Sequence, residues 1–147
     1  MIPKFYNSAN YIIEEIRYYG KPEAKWRNNE EALPIIEEVV NNTVTSMLLL
    51  YFSWGEPELT PTNNGTLELE WFFYEGDIEF CLEIGKDNFS FLIRHKKDSK
   101  IDYYVGTSDF IIENIRLVLN TGNAALNGDM IQVKHMIDSF HKCSYSK

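Results

Sequence analysis

From Leu67 to Phe73 the apolar residues occupy every second position (Leu67, Leu69, Trp71, Phe73), and from Ile78 to Ile84 they do so again (Ile78, Phe80, Leu82, Ile84). Alternation of this kind means two strands, each with one buried face. Between them stand Tyr74, Glu75, Gly76 and Asp77, where Gly76 supplies the positive φ of a tight hairpin turn. A loop with an even number of residues pairs Phe73 with Ile78, Trp71 with Phe80, Leu69 with Leu82 and Leu67 with Ile84. An odd loop would set Phe73 against Asp77. Burial therefore selects the even register, and with it the side that every intervening residue takes.

The opposite face then carries Glu68, Glu70, Phe72 and Tyr74 on the first strand and Asp77, Glu79, Cys81 and Glu83 on the second. Glu68 lies across from Glu83, a like-charge pair that costs about 0.2 to 1 kcal/mol. Such a face is either a solvated surface with cations nearby or an acidic patch kept for a basic partner.

The hairpin extends into a larger sheet. Phe89, Phe91 and Ile93 alternate against Ser90, Leu92 and Arg94, and a four-residue connection puts Arg94 beside Glu79 and Lys96 beside Asp77. After a turn at Lys97-Asp98-Ser99, Ile101, Tyr103 and Val105 give a fourth strand with Asp102 and Tyr104 on its other side. Four sequential antiparallel strands form a meander.

Helical spacing appears on both flanks. Asn7 or Ser8 caps a first helix with Ile12, Ile13, Ile16 and Tyr19 on one side, stopped by Gly20 and Pro22. A polar connection holding Trp26 follows. A second helix has Pro34 in its first turn, and its C-terminal end, Met47 to Trp54, is apolar nearly all round, which asks for burial on several sides or an interface. Glu56 to Pro61 reads as an extended approach to the hairpin. Thr107 or Ser108 caps a third helix ending at Gly122, and Asp129 caps a last one with Met130, Val133, Ile137 and Phe140 on one side.

The fold class expected is thus α+β: two N-terminal helices, a four-stranded antiparallel meander, a third helix and an appended C-terminal helix. The 147 residues suit a single domain, divided into a helical part (1–55), the sheet (56–107), a helix (108–122) and a linker with tail helix (123–147).

The segment from Pro57 through Thr60-Pro61-Thr62, Asn63-Asn64-Gly65 and Leu67-Glu68-Leu69-Glu70-Trp71 resembles a strand motif of small bacterial proteins that carry no assigned activity. The likeness spans roughly Trp54 to Gly122. It differs in Asn63-Asn64, where an acidic turn residue is usual, and in the tail from Asn123 onward. The resemblance implies the fold and transfers no chemistry.

A formal charge of −8 argues against nucleic acid as a partner, since phosphate neutralisation needs clustered Lys and Arg. Cys81 and Cys143 have neither the number nor the spacing of a disulfide framework or zinc site, and no charged and then apolar leader opens the chain, so a cytoplasmic setting is expected. No apolar run is long enough to span a membrane.

No catalytic set, metal site or cofactor motif emerges. Glu68, Glu70 and Glu83 offer oxygen ligands of the type a divalent cation takes, but an exposed acidic face is the plainer reading. Cys81 and His95 fall on opposite faces of the sheet, which removes the one thiol–imidazole pairing. Asp77, Glu83 and Lys86 lack the spacing of a nuclease core.

Glu68, Glu70, Phe72, Tyr74, Glu79, Glu83 and Tyr104 remain as a candidate partner-binding face, in which rings anchor and carboxylates steer. They point to a non-catalytic module that occludes another, basic protein, in the manner of an antitoxin, an immunity protein or a phage-encoded inhibitor. A homo-oligomeric structural or adaptor domain is the alternative, and a metal-dependent hydrolase using the sheet carboxylates a third reading.

Overall fold

The computed structural model describes residues 4–21, 32–96 and 102–145; in residues 4–8, 102–108 and 140–145 it describes the backbone course alone. The Trp26 connection and the turn at Lys97-Asp98-Ser99 lie outside the described residues. The chain runs α1 (Lys4–Tyr19), α2 (Glu37–Trp54), β1 (Glu58–Pro61), β2 (Leu67–Phe73), β3 (Ile78–Ile84), β4 (Asn88–His95), β5 (Asp102–Asp109), α3 (Ile112–Leu126) and α4 (Met130–Tyr145).

The strands form one antiparallel sheet in chain order, β1-β2-β3-β4-β5. The meander expected from alternation is there, and the extended approach adds β1 at its edge, with Leu59 opposite Leu69 and Pro61 opposite Leu67. The hairpin register is the even one: Trp71 meets Phe80 and Leu67 meets Ile84.

All four helices contribute to one core against one side of the sheet. α1 contacts β1, α2 contacts β2 and β3, α3 contacts β4, and α4 contacts β5, so two layers run in parallel sequence order. Ile16, Met47, Leu50, Leu67, Leu69, Trp71, Phe80, Phe91, Ile115 and Val133 are fully or almost fully buried in that seam. At its centre the Trp54 ring stacks on Phe91 with centroids 6.0 Å apart and meets Trp71 and Phe80 edge-on at 5.2 and 4.7 Å. Both indoles are paired: Trp54 Nε1 donates to Asn123 Oδ1 at 2.9 Å and Trp71 Nε1 to the Gly55 carbonyl at 3.0 Å.

Several element ends differ from the sequence reading. α1 begins at Lys4, so Asn7 and Ser8 lie inside it. α2 begins at Glu37, and Pro34 sits in the extended chain before it. Strand pairing of Ser108 with Phe89 and of Asp109 with Asn88 carries β5 through the expected cap of α3, which starts only at Ile112. α3 also passes through Gly122 to Leu126. There the missing Cβ admits the Trp54 ring and Phe80, so this glycine is a close-approach position inside the helix and not its stop. Asp129 caps α4 as expected, its Oδ1 accepting from Gln132 N at 3.1 Å.

Candidate functional site

With the helices on one side, the outer side of the sheet is left with the residues that alternate against the core. Cross-strand pairing sets them in rows: Thr60, Glu68, Glu83 and Ser90; Glu58, Glu70, Cys81 and Leu92; Phe72, Glu79 and Arg94. Among the described side chains, five carboxylates (Glu58, Glu68, Glu70, Glu79, Glu83) thus share one surface. The described apolar side chains with which α4 packs on the core turn the other way. That helix buries Val133 in the core and packs Met130 and Ile137 beside it, within the helical layer.

Near the hairpin tip the face is partly neutralised from within. Glu79, only 9% exposed, receives the Arg94 guanidinium at 3.7 Å and the Lys96 ammonium at 3.5 Å on the same Oε2. The Lys96 ammonium also stands 5.6 Å from the centre of the Phe72 ring, within cation–π range. Arg94 is where the strand pairing put it. So is Lys96, whose backbone N–H bonds the Asp77 carbonyl at 2.8 Å as the register requires; its flexible stem then carries the ammonium across to the more buried Glu79 carboxylate.

Away from the tip the acids are less relieved. Burial raises Glu68 above its ordinary value of 4.5, and the charge of Glu83 opposite adds to this. Glu70 is raised first by burial, then by a hydrogen bond to Glu79 that only its protonated form can donate, then by the charges of Glu68, Glu79 and Glu58. Cys81 lies among them, and burial together with the surrounding glutamates pushes its thiol up to about 12. It is therefore a neutral, unreactive thiol at physiological pH. Glu83 accepts a hydrogen bond from Thr66 Oγ1 at 2.8 Å.

Of the seven residues read from the sequence, Glu68, Glu70, Phe72, Glu79 and Glu83 share the outer face. Phe72 is 42% exposed at its border. Tyr74 leaves it. Tyr74 and Glu75 take positive φ of 54° and 58°, which breaks the strand alternation and turns the ring around the hairpin tip. The Tyr74 hydroxyl donates to the Leu126 carbonyl at 3.0 Å and so serves an open carbonyl at the end of α3. Tyr104 occupies the register position opposite Leu92, and its side chain lies outside the described residues. Glu58 and Thr66 belong to the site and were not singled out from the sequence. The alternation of Glu58 and Thr60 about Leu59 is the signal that finds the first.

Among the described residues no three His, Cys, Asp or Glu side chains converge in a way that holds a metal ion. None of the described helices is long and apolar enough to cross a membrane. Compared with known proteins, the chain matches no family model, no curated sequence and no solved structure.

Proposed function

We propose that the chain is a non-catalytic protein-binding module that acts by occluding a basic partner through the outer face of its sheet. One observation carries this reading: the helices share one core on the other side, and among the described side chains the uncovered face sets five carboxylates against the cations Arg94 and Lys96. A cation brought in by a partner relieves the Glu68–Glu83 repulsion and meets carboxylates already partly desolvated. Such complementarity speeds encounter and fixes orientation. Phe72 at the border supplies an apolar anchor, and occlusion of this kind, as by an antitoxin or immunity protein, needs no catalytic group on this chain.

Affinity capture from the native host with wild-type chain and with the double reversal Glu68→Lys/Glu83→Lys tests this. The expected outcome is a protein retained by wild type at low salt, weakened by added salt, and lost from the variant while its thermal unfolding stays intact. Equal capture by both chains removes the proposal.

A second reading has its own observation. Phe52 on α2 is 78% exposed and Leu48, one turn earlier, is exposed too, which suits self-association through α2. Sedimentation over a range of concentrations separates the two, since a strict monomer excludes the second.

A further inference from the structure

Two asparagines of the chain precede glycine: Asn64 before Gly65 and Asn127 before Gly128. Glycine has no Cβ to block the approach of its own backbone nitrogen to the preceding side-chain amide. In that reaction the glycine nitrogen gives up its proton to solvent and bonds to the asparagine Cγ. The Cγ–Nδ2 bond breaks and ammonia leaves. Water then opens the cyclic imide at one carbonyl or the other, yielding aspartate or isoaspartate.

The fold treats the two sites differently. Gly128 N–H donates to the Ala125 carbonyl at 3.1 Å, and Asn127 is held in helical geometry with φ −84° and ψ −2°, its own N–H bonded to the Asn123 carbonyl at 3.0 Å. Attack there first requires undoing the end of α3. Asn64 is exposed in the β1–β2 turn, where the Gly65 N–H faces the Thr62 carbonyl across the turn without closing a well-formed hydrogen bond.

We propose that Asn64 is a site of spontaneous deamidation in the folded protein, and that the fold protects Asn127 from the same fate. The position matters for its surroundings. Asn64 N–H donates to Thr62 Oγ1 at 3.1 Å, the Thr62 and Thr66 hydroxyls lie 2.6 Å apart, and Thr66 donates to Glu83. Since Thr66 gives its proton to the carboxylate, Thr62 donates to Thr66, and the chain of bonds points one way, from Asn64 to Glu83. Isoaspartate inserts a backbone methylene between Thr62 and Thr66 and pulls that relay apart, whereas aspartate adds a charge and leaves the backbone length unchanged.

The full-length chain is incubated at neutral to mildly alkaline pH, natively and unfolded in urea, and the peptides holding each site are followed by mass spectrometry, with isoaspartyl methyltransferase labelling for the isomer. In the native chain the Asn64 peptide should convert about tenfold faster than the Asn127 peptide, the order of effect expected where a backbone hydrogen bond must first open. In urea the two rates should converge. Asn64→Gln should abolish conversion in its peptide without changing the native circular dichroism. An Asn64 that keeps its amide in the native chain, or a rate ratio identical in native and unfolded chains, overturns the proposal. Neither outcome bears on partner capture, so the chemistry stands or falls apart from the binding reading.

Discussion

Glu68 and Glu70 sit between strands that bury them in part and neighbours that share their sign, and both titrate above the ordinary carboxylate value of 4.5. Between that value and the raised one the native chain binds more protons than the unfolded chain, so their contribution to stability falls as pH climbs through the window. Glu68→Gln should therefore raise the melting temperature at neutral pH, by the equivalent of about 0.2 to 1 kcal/mol, and change nothing well below pH 4.5, where both states are protonated. Thermal melts at a series of pH values test this; a variant no more stable than wild type at neutral pH would mean that the Glu68–Glu83 pair is already compensated. At this scale the sequence was legible where a strand's alternation determines the side. Glu68, Glu70, Glu79 and Glu83 all followed from one turn's parity. It was illegible where a side chain is long or the backbone leaves the strand. Lys96 has enough reach to choose Glu79 over Asp77, and Tyr74 is turned by a left-handed backbone that its residue type does not announce.

Among the elements, α3 shows most directly how tertiary contact overrules local signals. Gly122 reads as a helix stop, yet α3 continues past it, because the space of its absent side chain is taken by Trp54 and Phe80. Gly122→Ala gains about 1 kcal/mol of helix propensity, but its methyl must displace the Trp54 ring, which is stacked on Phe91 and hydrogen-bonded to Asn123. Overpacking of that kind costs about 1 to 3 kcal/mol. The variant should unfold at lower urea than wild type, and a higher midpoint would mean that the ring has room to move. Helix starts were misread for a related reason. Ile36 and Ile111 take the cap positions of α2 and α3 without any side-chain capping bond, since neighbouring elements decide where those helices begin. Only at α4 did the cap at Asp129 and the observed boundary agree, in a stretch where no strand competes for the backbone.

For the molecule as a whole, the order of helices over strands makes α4 a structural member of the core. Its sequence position suggested an appendage. Val133 is completely buried, and Met130 and Ile137 pack on the core beside it. Val133→Ala should cost about 2 kcal/mol, visible in chemical denaturation. A neutral result would return α4 to the status of a tail. Fold class and sheet register were legible because a two-layer arrangement buries every alternating row at once. The extent of the candidate face was not, because Glu58 joins it only through a short edge strand that its flanking prolines disguise. Pro57 immediately precedes that strand and Pro61 closes it, so one border of the sheet ends in a ring nitrogen with no hydrogen to offer. A foreign peptide seeking to lengthen the sheet there finds too little backbone to grip. Recruitment along that margin is thereby discouraged, and a visitor must land broadside, on the carboxylates.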